Sequence, residues 1–240
     1  MALSFALRGL TGGVPLDVAL TLGPAPLALV GPSGAGKTTV LLALLGLLRP
    51  PTGHIALGAH VLLDTATGVD LPPEARRLGY VPQHHGLFPH LNVLDNVAFG
   101  LGCGAQPLGK LARRERALAV LRDLSLGHLA ARLPRDVSGG EAQRIALARA
   151  VAIQPQALLL DEPLAALDAV TRREVRAWLR EVLGGLQIPA LVVTHDPADA
   201  EALQLDVAVL EAGRLQQQGT LAALRAQPAS AFVAAWTARP

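Results

Sequence analysis

Along this chain the apolar positions recur at two spacings, and the two alternate. Leu3, Phe5 and Leu7 share one face of an extended LSFAL, and VALTL (18–22) and HIAL (54–57) repeat that pattern. PLALV (26–30) is apolar without a break, as a strand covered on both faces must be. LGYV (78–81), ALLLD (157–161), ALVVT (190–194) and VAVL (207–210) are further strand candidates. Elsewhere the period lengthens: Val175, Trp178, Leu179 and Val182 lie on one face of a helical TRREVRAWLREVL. Another helix is expected from Lys37 to Arg49, where Pro50–Pro51 forbids continuation. The first sixty residues read as short strands joined by turns, and strands alternating with helices after them predict an α/β fold with a mostly parallel core sheet covered on both sides. From about 84 to 153 there are helical patterns and no convincing strand, which predicts a helical subdomain inserted between two sheet strands.

Bulk properties narrow the class. At 240 residues the chain fits one sizeable α/β domain with a satellite subdomain. Hydrophobic residues make up 51%, yet the longest apolar run, VLLALLGLL (40–48), has nine residues. A spanning helix needs roughly 20, so no membrane crossing is expected. The N-terminus lacks the pattern of a signal peptide, and the lone Cys103 allows no internal disulfide, so a cytosolic setting is expected. The pairs Arg76–Arg77, Arg113–Arg114 and Arg172–Arg173 each sit beside a glutamate (Glu74, Glu115, Glu174) and are read as solvated mixed-charge faces. Aromatic residues are only 3%, too few to stack single-stranded nucleic acid, so no nucleic-acid partner is expected.

Three motifs carry chemistry. Gly31, Pro32, Ser33, Gly34, Ala35, Gly36, Lys37, Thr38 and Thr39 follow a strand pattern and open a helical one. That context suits a phosphate cradle, in which glycines let backbone N–H groups meet phosphate oxygens at a helix N-terminus. Lys37 is placed to reach the outer phosphates and the Thr38 hydroxyl to ligate Mg²⁺. In ALLLDEP (157–163), Asp161 is suited to holding Mg²⁺ and Glu162 to polarising a water aimed at the terminal phosphate. In VSGGEAQRIALARAV (137–151), Ser138 and Glu141 have capping-box spacing, and Gly139 and Gly140 offer a second backbone anion site.

SGGE followed by Gln143–Arg144, some twenty residues before LLLDE, resembles the signature of ATP-binding-cassette (ABC) ATPases. The resemblance implies a P-loop NTPase (RecA-like) core with a mostly parallel sheet, an N-terminal antiparallel β region and the inserted helical subdomain. It also implies that Gln83 in YVPQ senses the γ-phosphate and the membrane partner and helps hold Mg²⁺, that Asp168 in LAALD lies in a loop communicating across a dimer, and that His195 in VVTHD is the switch histidine. By the same resemblance two copies work head to tail as a homodimer. ATP then lies between the cradle of one and Ser138, Gly139, Gly140 and Glu141 of the other. Work is passed to transmembrane permease subunits served by a solute-binding protein, with this chain peripheral on the cytoplasmic side of the membrane.

HHGLFPHLNV (84–93) is expected either to dock that membrane partner through Leu87, Phe88 and Pro89 or to pack the insertion locally. His84, His85 and His90 have no acid or Cys at ligand spacing, so no metal is expected there. The family's adenine-stacking aromatic has no counterpart around LRGLTGGV; Phe5 is nearest, and its alternation with Leu3 and Leu7 points to the core. DTATGVDLPPEARRLGYVPQHHGLFPHLNV resembles bacterial importer ATPases, molybdate importers most of all, with sulfate or another nutrient as the alternative cargo. A C-terminal regulatory β-domain found in many of that group is not expected in this sequence. A soluble ABC ATPase acting on DNA or ribosomes and a P-loop small-molecule kinase are the competing readings.

Overall fold

The computed structural model describes residues 1–103 and 107–238; positions 104–106 of the inserted region and 239–240 lie outside the described residues. In chain order the elements are β1 (Leu3–Thr11), β2 (Val14–Leu22), β3 (Leu27–Val30), α1 (Lys37–Leu45), β4 (Thr52–Leu57), β5 (His60–Asp64), β6 (Val69–Asp70) and β7 (Leu78–Val81). There follow α2 (Val93–Ala98), α3 (Lys110–Asp123), α4 (Gly139–Ala152), β8 (Ala157–Asp161), α5 (Ala169–Leu186), β9 (Ala190–Val193) and α6 (Pro197–Ala202). The chain closes with β10 (Asp206–Glu211), β11 (Arg214–Gly219), α7 (Leu221–Ala226) and α8 (Ala231–Thr237).

All eleven strands join one sheet in the order β6-β5-β4-β1-β2-β11-β10-β3-β9-β8-β7. One half, β10-β3-β9-β8-β7, is parallel, as the patterning predicts, and the other, β6-β5-β4-β1-β2, is antiparallel, as the family resemblance implies. Successive side chains of a strand point to opposite faces, so a strand covered twice must be apolar throughout. Leu27 and Leu29 of β3 accordingly enter one core cluster, while Ala28 and Val30 enter another.

The first cluster surrounds α1. Leu41 and Leu44 meet Leu3 and Leu7 of the antiparallel strands and Leu159, Leu191 and Leu210 of the parallel ones. The sheet therefore curls round this helix, which explains why its sequence is apolar on all sides. On the opposite face, Val175, Leu179 and Leu183 of α5, with Val233 and Trp236 of α8, cover β8, β9 and β10. Between β7 and β8 the described residues are helical, with a third cluster of Val93, Val97, Leu121, Leu129 and Ile145. α4 serves both sides, since its Ala146 and Leu147 pack into the second cluster.

The helix after the cradle is shorter than expected. It ends at Leu45 rather than Arg49, because Gly46 adopts a left-handed φ of 79° and returns its N–H to Ala43 O. Leu47 N–H reaches Leu42 O, which completes a Schellman closure inside the apolar run. No proline is needed to stop it.

The solvated-face reading fails for Arg76, which is 1% exposed. Its Nη1 donates to Ala43 O (2.9 Å) and Leu44 O (2.7 Å), Nε to Leu71 O (2.8 Å) and Nη2 to Asp70 Oδ1 (2.9 Å). A cation at a helix C-terminus also complements the helix dipole. The other pairs likewise bypass their neighbouring glutamates: Arg114 bonds Asp95, and Arg172 bonds Asp196 and the carbonyls of Ala165 and Leu167. A flexible ammonium cannot reproduce Arg76's four-way fork. Arg76→Ala, and equally Arg76→Lys, is expected to lose about 3 kcal/mol of stability by urea unfolding, through stranded carbonyls at the end of the cradle helix.

Candidate functional site

The cradle is built where β3 ends and α1 begins. Gly31 passes so near β10 that a Cβ there would lie 2.0 Å from Leu210 O, so no other residue fits. Gly36 has φ 102° and provides no side-chain cap for α1. The first helical bond runs from Val40 N–H to Gly36 O, so Lys37, Thr38 and Thr39 have N–H groups with no acceptor inside the helix. Such a terminus is suited to an anion. Lys37 Nζ meanwhile donates to Gly31 O (2.8 Å) and Pro32 O (2.9 Å), both in its own loop. Burial pulls the Lys37 ammonium below its ordinary pKa, and Glu162 and Asp161 oppose that. A phosphate would relieve the same penalty.

The loop borders a cleft of about 390 Å³ lined by Val14, Gly31, Ser33, Gly34, Gly36, Lys37, Thr38, Thr39, Glu162 and His195. Glu162 follows β8 with a left-handed φ of 47°, a conformation uncommon outside glycine and concentrated at functional sites. Its Oε2 accepts a hydrogen bond from Gln83 Nε2 at 3.0 Å and lies 3.4 Å from His195 Nδ1. Gln83 and His195, just past two different strands, thus converge on one carboxylate oxygen just past a third. Asp161 sits behind them, 6% exposed, with Thr38 beside it. Burial raises the Asp161 carboxyl above its usual range, with Thr38 opposing. A hard oxygen pair with a desolvated negative charge fits Mg²⁺.

Other sequence candidates lie away from this cleft. Ser138 caps α4: Glu141 N–H donates to Ser138 Oγ (3.3 Å) and Ser138 N–H to Glu141 Oε2 (2.7 Å), the capping box its spacing predicts. That backbone bond holds the Glu141 carboxyl below its ordinary range. Gly140 packs so closely on α5 that a Cβ would lie 2.4 Å from Thr171 Cγ2. None of Ser138, Gly139, Gly140 or Glu141 lines the cleft of its own chain. Asp168 caps α5, accepting from Val170 N–H and Thr171 N–H, both at 3.1 Å.

Phe5 is buried in the first cluster, in keeping with its alternation. Val14, the last residue of LRGLTGGV and the start of β2, lines the cleft, so the stretch that lacks an aromatic reaches the cradle with an aliphatic side chain. Leu87 packs against two clusters, and Asn96 pins the loop by accepting from Phe88 N–H (2.8 Å) and donating to Phe88 O and Leu91 O. Phe88 packs against Phe99 with ring centroids 4.5 Å apart and planes tilted by 43°, and Phe99 is exposed. Local packing and an open apolar edge therefore coexist there.

Comparison with known proteins places these residues in context. The family model described as ABC transporter matches residues 17–165. The Molybdenum import ATP-binding protein ModC of Paramagnetospirillum magneticum is 42% identical over 227 residues, 94% of this chain and 61% of that protein. The Sulfate/thiosulfate import ATP-binding protein CysA of Synechocystis sp. is 43% identical over 206 residues, 86% of this chain and 56% of that one. The chain thus spans about three fifths of the length of these curated relatives. Among solved structures, the dimeric post-hydrolysis state of the ATP-binding cassette MJ0796 bound to ADP and Pi is 28% identical, with a TM-score of 0.72. It covers 91% of this chain and 98% of that one.

Proposed function

We propose, since this chain belongs to the ABC transporter family, that it hydrolyses ATP to drive import of a small oxyanion through separate membrane subunits. The observation that carries this reading is the convergence of Gln83 and His195 on Glu162 beside the cradle. In the proposed reaction Glu162 takes a proton from a water whose oxygen bonds to the γ-phosphorus. The bond from that phosphorus to the β–γ bridging oxygen breaks, and ADP and phosphate leave. Gln83 and His195 hold the carboxylate in place, and Lys37 with the α1 N-terminus balances charge on the phosphates. Thr38, Asp161 and Gln83 would hold Mg²⁺, which neutralises phosphate charge when bound.

Each chain presents its signature helix away from its own cleft, so the N-terminus of α4 is free to face a nucleotide held by a second copy. A head-to-tail homodimer follows, with Asp168 near the seam and two sites shared between chains. The dimeric form of the MJ0796 cassette is in keeping with this arrangement. Among the described residues no helix is long and apolar enough to cross a membrane; the relatives' import names support a translocation path in separate permeases. The Phe88–Phe99 edge of the helical insertion is the proposed dock, on the cytoplasmic side. Relatives named for molybdenum and for sulfate or thiosulfate match at comparable identity, so the cargo class is a tetrahedral oxyanion, with molybdate as the first candidate.

Purification of the native complex from host membranes tests this. A permease and an oxyanion-binding protein are expected to co-purify, and a binding screen against molybdate, tungstate, sulfate and thiosulfate then names the cargo. A chain that leaves the membrane with no integral partner contradicts the transport reading.

A further inference from the structure

The ring of His195 is 54% exposed, so side-chain packing does not fix its place beside Glu162; the backbone of its turn must. That turn is braced on several sides. Thr194 N–H donates to Leu29 O, and Asp196 N–H donates to Thr194 Oγ1 at 3.2 Å. Thr194 Oγ1 donates in turn to Asp199 Oδ2 at 3.1 Å, and Arg172 Nη1 to Asp196 Oδ2 at 3.2 Å. The carbonyl of His195 itself accepts from the indole Nε1 of Trp236, at 3.0 Å. Trp236 stands on α8, 41 residues further along the chain, and is 1% exposed. A buried indole N–H needs an acceptor, and here it takes the histidine's own carbonyl, on the peptide that follows the imidazole.

We propose that Trp236 is a positioning residue for His195: its N–H fixes the peptide from which the imidazole reaches Glu162. The inference rests on the reading that His195 takes part in ATP hydrolysis. A shift of the ring by a fraction of its 3.4 Å approach to Glu162 would misplace a group that must meet the reacting centre. The C-terminal helix α8, outside the matched family segment of residues 17–165, is thereby tied to the chemistry of the cleft.

Two replacements remove the N–H: Trp236→Phe, and site-specific exchange of Trp236 for its benzothienyl isostere, which keeps the bicyclic shape. Each is expected to lower kcat roughly ten-fold with KM for MgATP unchanged. In a His195→Ala background the same replacements are expected to add no further loss, because the group they position is gone. Val233→Ala, a fully buried change on the same helix, is expected to lower the melting temperature while leaving kcat as it was. Unchanged kcat in the isostere protein overturns the proposal, as does an equal loss in both backgrounds or a matching kcat loss in Val233→Ala. Full turnover in His195→Ala overturns the underlying reading and the proposal with it; a normal loss there beside an unaffected isostere overturns the proposal alone.

Discussion

Glu162→Gln is expected to lower ATP turnover by about 10²- to 10⁴-fold while leaving ATP affinity close to that of the unaltered chain. The amide keeps the shape of the carboxylate and can still accept from Gln83 Nε2, whose bond to Oε2 is 3.0 Å. It cannot take a proton from water, and it carries no negative charge to orient one. The neighbouring Lys37, Thr38 and Asp161 are untouched, so the nucleotide should bind and stay. If two copies close on it, this variant accumulates as an ATP-bound dimer on size exclusion. A turnover near the unaltered value would move the base elsewhere, and His195→Ala would then be the variant to compare.

Ser138→Phe carries the second large effect. Within its own chain Ser138 only caps α4, and losing a serine cap costs about 1 kcal/mol. A chain acting alone would therefore lose some stability and keep its rate, since the cradle, Glu162 and His195 are intact. In the proposed dimer the same position faces a partner's triphosphate beside a helix N-terminus, where a benzyl group blocks closure. Turnover is then expected to fall by about 10²-fold or more, as it does when a preorganised donor to a reacting anion is removed. The unaltered chain should also show turnover per molecule that rises with its own concentration, a dependence absent from any single-chain enzyme.

What could be read in advance was local. The cradle loop, the acid pair Asp161–Glu162 and the Ser138–Glu141 box depend on residues within a few positions of one another, and the structure has the helix after the loop, the strand that ends at Asp161 and the capping box. The strands with two covered faces were legible from unbroken apolar runs. β11 was not, because RLQQQG is polar; its edges bond to β10 and, at Arg214, to β2, and its side chains are half-exposed in alternation. The end of α1 was masked by leucines on both sides of Gly46, which hid a left-handed closure inside an apolar run. Arg76 looked like a surface charge beside Glu74, and only the fold shows the carbonyls of α1 waiting for it. Trp236 joins the site across the chain, and no short window of sequence contains both it and what it touches.

If each nucleotide is shared by two chains, two differently disabled chains must rescue one another when mixed. Lys37→Ala removes the cradle's cation but leaves the signature whole, and Ser138→Phe does the reverse. Alone, each is expected to be nearly inactive. Mixed in equal amounts, half of the dimers pair one of each and contain a single intact site of two, so turnover should recover to about a quarter of the unaltered rate. A mixture as inactive as its parts, or a Ser138→Phe chain that is fully active by itself, contradicts the shared site.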